Sequence, residues 1–172
     1  MRHIHFKALQ SLLICFVLLA GTLFMSCKST QTVAQKEQQA LRVKQMLESS
    51  DFTFNADFAY PLADRPRPLT AVYSLKVSKD SIKAYLPFFG RAYVAPIGSS
   101  ENGIKFSNTD FKYNLVKGMK PGNWIVTIKT KMYNRILDLT LDAWETGAAQ
   151  LTVNDPDRQS ISFSGKIVEK EE

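Results

Sequence analysis

The sequence predicts an all-β domain preceded by one short helix: an antiparallel meander of about eight to ten strands, closed as a barrel or folded as a two-sheet sandwich. Three observations carry this reading. From Asp51 onward apolar residues recur with period two, the spacing that sends alternate side chains to one face of a strand. Clusters of Gly, Pro, Asn, Asp and Ser interrupt the runs roughly every ten residues, so neighbouring strands join through tight turns and pair antiparallel. A single stretch with helical spacing lies upstream, in residues 34–49.

The chain begins with Arg2 and Lys7 and continues from Ala8 to Met25 as an apolar run broken by Gln10, Ser11 and Thr22. A charged n-region followed by an apolar h-region is the pattern of a secretory signal. The run closes with Leu23-Phe24-Met25-Ser26-Cys27 before the polar Lys28-Ser29-Thr30-Gln31. A small residue before such a cysteine resembles a bacterial lipobox, whose cysteine is diacylated and becomes the new N-terminus. The leucine usual three places before the cysteine is Phe24 here, with Leu23 one place early. Ordinary signal cleavage and retention as a membrane anchor are the alternatives, because about 18 to 20 apolar residues barely span a bilayer. All three put the domain outside the cytoplasm. With Cys27 acylated, the chains alone suffice as an anchor, since each buried methylene contributes about 0.8 kcal/mol and two chains hold firmly.

The expected organisation is therefore a signal at 1–26, a solvated tether at 27–35, an amphipathic helix at 36–49, the β-domain at 50–168 and a charged tail at 169–172. The helix has no Gly or Pro, and Ala40, Val43, Met46 and Leu47 make one narrow stripe suited to covering an open face or end of the sheet. The strand runs are Phe52, Phe54, Ala56, Phe58; Ala71, Tyr73, Leu75, Val77; Ile82, Ala84, Leu86; Phe111, Tyr113, Leu115; Trp124, Val126, Ile128; Leu137, Leu139, Leu141; Ala149, Leu151, Val153; and Ile161, Phe163, Ile167. Turn signals stand at 78–80, 99–103, 118–123, 145–147 and 154–157.

Composition excludes much chemistry. Cleavage before Cys27 leaves 146 of the 172 residues, the size of one domain, and lowers the net charge from +6 to +4 through loss of Arg2 and Lys7. The remaining cations, among them Lys76, Lys83, Arg91, Lys105, Lys112, Lys129, Lys131 and Arg135, are dispersed, whereas nucleic-acid binders cluster theirs. No nucleic-acid partner is expected. Both histidines, His3 and His5, lie in the signal, Cys15 leaves with it, and Cys27 would carry lipid. The mature domain then lacks a histidine and a free thiol, which excludes a Ser-His-Asp triad, a Cys-His pair, zinc sites of His or Cys, and an internal disulfide. No phosphate loop or dinucleotide fingerprint occurs, and no cofactor is expected.

Four residues stand out as candidate ligand or partner contacts: Phe88, Phe89, Arg91 and Tyr93, in the stretch from Leu86 to Pro96 that breaks the alternation with Gly90 and two prolines. As a site they offer an apolar surface and an anion contact; as structure, Gly90 lets the chain bend while the aromatics fill the core. The structural reading weighs more. Asp138 and Asp142 share the polar face of one strand, with Glu145 nearby, but positions i and i+4 lie about 13 Å apart, too far for a retaining glycosidase pair and long for an inverting one. Asp155-Pro156-Asp157 resembles part of a calcium loop, yet it lacks the EF-hand glycine and glutamate and reads as a turn.

Several of these pieces together resemble the exported lipoproteins of Bacteroidota that carry domain of unknown function 4251: Phe52-x-Phe54-x-Ala56, Leu86-Pro87-Phe88-Phe89-Gly90-Arg91-Ala92-Tyr93, Trp124, and Ile161-Ser162-Phe163-Ser164-Gly165. The resemblance spans about residues 48–168. It implies a compact β-rich envelope lipoprotein, supplies no activity, ligand or catalytic residue, and relaxes the lipobox requirement, which is looser in that phylum. An acidic cluster after the cysteine accompanies outer-surface display in that group, and residues 28–36 contain no acid, so a periplasm-facing protein is expected. Three functions compete: a non-catalytic module binding an envelope protein or ligand; a carrier whose barrel holds an apolar molecule among Phe54, Phe58, Tyr73 and Trp124; and a carbohydrate-active enzyme using paired acids.

Overall fold

The computed structural model describes residues 32–94 and 103–170. The signal, Cys27 and most of the tether lie outside the described residues, as do most of the 99–103 turn and the last two residues of the tail. Helix α1 runs Val33–Ser49, beginning three residues before the expected start. It ends without a glycine: Ser50 takes the left-handed conformation (φ 52°). The amides of Ser50 and Asp51 donate to the carbonyls of Leu47 (3.2 Å) and Met46 (3.1 Å), which satisfies the last turn as a Schellman motif does.

Nine strands follow: β1 (Phe52–Pro61), β2 (Arg67–Val77), β3 (Ile82–Leu86), β4 (Ile104–Asn108), β5 (Phe111–Lys117), β6 (Asn123–Met132), β7 (Arg135–Trp144), β8 (Ala148–Asn154) and β9 (Ile161–Val168). They form one sheet in the order β4-β3-β2-β1-β9-β8-β7-β6-β5, and every neighbouring pair is antiparallel. Two meanders, β1–β4 and β5–β9, are thus joined where the first and last strands pair.

The free edges, β4 and β5, are consecutive in the chain and run in the same direction. Residues 104–117 therefore act as one interrupted strand, whose first half pairs with β3 and whose second half pairs with β6. The gap at Thr109-Asp110 is bridged by side chains: Asn108 Nδ2 donates to Thr130 Oγ1 (2.9 Å), which donates to the Asp110 carbonyl (3.2 Å). The sheet is a nearly closed barrel, which decides between the two architectures left open by the sequence.

The interior is filled from both halves. Phe52, Phe54, Leu75, Val77, Ile82, Ile128, Leu137, Leu139, Leu141, Leu151 and Phe163 are fully buried. Burying a side chain of this size contributes about 1.5–3 kcal/mol, so the barrel core is the main stabilising element. Val43, Met46 and Leu47 bring the stripe of α1 into the same core, and the Tyr113 hydroxyl donates to the Leu47 carbonyl (2.7 Å). The helix packs at the end of the barrel where β1 begins and where the β5–β6 and β7–β8 turns lie.

At the junction of the meanders β1 carries a bulge: Ala56 pairs with Gly165 and Phe58 with Ser164, leaving Asp57 as the extra residue. The inward phase moves from Phe52, Phe54 and Ala56 to Ala59, and Phe58 turns outward with 43% of its surface exposed. Across β1, residues Leu69 to Val72 of β2 stand opposite that single Asp57, which leaves Ala71 and Val72 exposed rather than inward. A Cβ on Gly165 would lie 3.0 Å from Ala56 Cα and 2.9 Å from Asn55 C, with the Asn55 carbonyl oxygen closer still. Only glycine allows this approach of β1 to β9.

Candidate functional site

The end of the barrel opposite α1 is closed by the segment after β3. Leu86 and Pro87 are buried, and Phe88 and Phe89 are half-buried against the core. The chain then docks along the β8–β9 loop. Tyr93 N donates to the Asp157 carbonyl (2.7 Å), Gln159 N to the Arg91 carbonyl (3.0 Å), and Arg91 N to Gln159 Oε1 (3.0 Å). The open flanks of the two phenylalanine rings are covered by cations: the Arg158 guanidinium lies 5.1 Å from the centre of Phe88 and that of Arg67 4.8 Å from Phe89.

Beneath this strap sits an ion cluster. Arg135 Nε pairs with Asp155 Oδ1 at 2.8 Å and its Nη1 with Asp157 Oδ2 at 3.4 Å, while Arg158 Nε stands 3.8 Å from the buried Asp155. Asp155 Oδ1 also accepts the Asp157 amide (3.0 Å), so 155–157 is the expected turn, its first carboxylate committed to two arginines. Of the four singled-out residues, Phe88 and Phe89 are brought together as packing under Arg158 and Arg67. Arg91 and Tyr93 project outward, Tyr93 with 66% exposure, and do not assemble with the two phenylalanines into one pocket.

The carboxylates of β7 lie on its outer face. Asp138 pairs with Lys129 at 3.5 Å, and Asp142 accepts from the Asn123 amide nitrogen. Among the described residues no three His, Cys, Asp or Glu side chains come together to hold a metal ion, and no helix is long and apolar enough to cross a membrane.

A second region lies at the α1 end, where sequence reasoning marked only a turn and dispersed charge. Between α1 and the β5–β6 turn runs an open cleft of about 510 Å³. Leu41 and Lys44 of α1 form one wall, while Lys117, Met119, Lys120 and Trp124 form the other, with Glu145 at its edge. The turn is shaped by its glycines: Gly118 N donates to the Asn123 carbonyl (2.9 Å), and Gly122 adopts φ 70° beneath the Glu145 side chain. Tyr113, behind this wall, has its phenol pKa pushed up to about 12 by burial, a shift opposed by a hydrogen bond from Ser50. The signal in the sequence was Met119, an apolar residue in a polar turn, which the structure leaves fully exposed.

The structure thus defines a small antiparallel barrel capped by a helix at one end and by an arginine-clasped aromatic strap at the other. The sequence pattern described as Domain of unknown function (DUF4251) matches residues 34–167, and the chain belongs to that family. It is similar to the crystal structure of a DUF4251 family protein from Bacteroides eggerthii DSM 20697, with 15% identity and a TM-score of 0.61 over 77% of this chain and 88% of that one. That likeness concerns the fold. No curated protein matches the chain.

Proposed function

We propose that the chain is a lipid-tethered envelope module, facing the periplasm, that works by binding or bridging rather than by catalysis. The observation that carries this is that the candidate acids do not form a pair facing one open cleft. Asp138 lies beside Lys129 with its Oδ1 buried and without a hydrogen-bond partner, and Asp142 accepts from Asn123. Asp155 and Asp157 pair with Arg135, with Arg158 adding to Asp155, and of the candidate acids Glu145 alone lines the α1 cleft. A general acid or nucleophile needs a carboxyl aimed at substrate. With histidine confined to the first five residues, little else in the β-domain serves as a base near neutral pH.

The signal-like N-terminus and Cys27 supply the attachment, and α1 supplies its rigid continuation, because Val43 and Leu47 are fully buried in the domain core. The tether therefore ends on a packed element. The carrier reading draws less support: of its aromatics Phe58 faces outward, Trp124 borders the open cleft and Phe54 is fully buried, so they do not line one space. A screen of glycoside, ester and peptide substrates tests the proposal. Background rates throughout are expected, and turnover abolished by Asp138→Asn or Asp142→Asn would refute it.

A further inference from the structure

The α1 cleft has a composition that neither the barrel nor its cap requires. Three lysines, Lys44, Lys117 and Lys120, line it with one acid, Glu145, and Lys44 also pairs along α1 with Glu48 at 3.7 Å. Between them Met119 is fully exposed and Leu41 59% exposed, and Val33 at the start of α1 is 73% exposed. Trp124 is half-buried in the wall. A basic rim around protruding apolar side chains, with an indole at the boundary, matches the layering of a bilayer surface: anionic headgroups outside, acyl chains beneath.

We propose that this face rests on the membrane and binds the headgroups of anionic phospholipids, the lysines taking phosphate while Met119 and Leu41 enter the acyl boundary. The inference builds on acylation at Cys27, and chain length supports it. From Cys27 to Val33 is six residue steps, at most about 20 Å extended. From Val33 to Ala40 is seven helical residues, about 10 Å. An acyl anchor thus keeps the cleft within roughly 30 Å of the bilayer, where its charge complements an anionic leaflet. Other large apolar side chains are exposed as well, among them Phe58, Leu62, Val72, Tyr133 and Ile136, but none of these lines the cleft.

The test uses the full mature lipoprotein on vesicles of phosphatidylcholine, with or without one-third phosphatidylglycerol. A bimane label is placed at Met119→Cys or, as the control at the far end, at Arg91→Cys; acylated Cys27 does not compete for label. On anionic vesicles the label at 119 is expected to be quenched by nitroxide lipid and shielded from aqueous iodide. That shielding should fall sharply on neutral vesicles, in high salt, and in the Lys44→Gln/Lys117→Gln/Lys120→Gln variant, while the label at 91 stays water-exposed throughout. Loss of the three lysines should weaken headgroup binding on the order of a hundredfold. A label at 119 as exposed as that at 91, or shielded equally on neutral vesicles, would overturn the proposal. Intact mass separates the underlying reading: should Cys27 prove unacylated, lysine-dependent flotation of the chain with anionic vesicles still supports the face, and absence of flotation overturns it.

Discussion

Replacing Gly165 by alanine probes the junction on which barrel closure depends. The added Cβ would sit 2.9 Å from Asn55 C and 3.0 Å from Ala56 Cα, and closer still to the Asn55 carbonyl oxygen. All of these are backbone atoms beside the β1 bulge, so no flexible side chain can move aside. Either β1 retreats from β9 or the ladder opens around the Ala56–Gly165 pair. Overpacking costs about 1–3 kcal/mol, and each neighbouring ladder hydrogen bond lost adds about 1 kcal/mol, for roughly 2–4 kcal/mol in all. A domain of this size has about 5–15 kcal/mol in total, and the loss should lower Tm by roughly 10 °C. Urea melts followed by tryptophan fluorescence measure it, with Ser164→Ala as an outward-facing control expected within about 1 kcal/mol. A Gly165→Ala variant within about 0.5 kcal/mol of wild type would refute the close approach of β1 to β9.

Three further outcomes follow from the packing. Leu47→Ala should cost about 2–5 kcal/mol in the same melts, because the side chain is fully buried and ties α1 to the barrel; a negligible loss would mean that the helix is not part of the core. Asp155→Ala should cost about 3–5 kcal/mol, since it leaves Arg135 and the buried Arg158 without their shared carboxylate, and Asp155→Ala/Arg135→Met should recover part of that loss. Tyr113→Phe removes a hydrogen bond worth about 1 kcal/mol at neutral pH. Because the fold raises the phenol pKa from 10 to about 12, its stabilisation is complete below pH 10 and is lost as pH rises toward 12. Two pH units correspond to about 2.7 kcal/mol, reduced to about 1 kcal/mol for a partly solvated ring. The variant should lose correspondingly less stability across that interval than wild type.

The periodicity of single elements was legible because it reflects burial on one face. The runs in β6, β7, β8 and β9 place Val126, Leu139, Leu151 and Phe163 inward, as their alternation predicts. Phe58 and Ala71 broke the rule because a bulge adds a residue without altering composition, and nothing local marks Asp57 as unpaired. β4 carries only Ile104 and Phe106 as an alternating pair, too short a run to register, yet it hands the chain from β3 to β6. The pairing of β1 with β9 joins residues a hundred or more positions apart and leaves no periodic trace. Its footprint is chemical: Ala56 and Gly165, small residues from the two ends of the resemblance, meet there.

The candidate contacts divided along the same line. The aromatics of the strap were visible as a break in alternation, but their partners Arg67 and Arg158 arrive from β2 and the β8–β9 loop. The lysine cleft was invisible because Lys44 and Lys117 are 73 positions apart in sequence and meet only when α1 packs on the β5–β6 turn. Dispersed charge in a sequence is therefore compatible with a concentrated patch in the fold.

Attachment through Cys27 is tested most directly by the mass of the mature protein taken from the membrane fraction. The expected mature chain starts at Cys27 and carries a diacylglyceryl group, and a Cys27→Ser variant is not processed to this form. A mature chain with an unmodified Cys27, or one that retains residues 1–26, would contradict it.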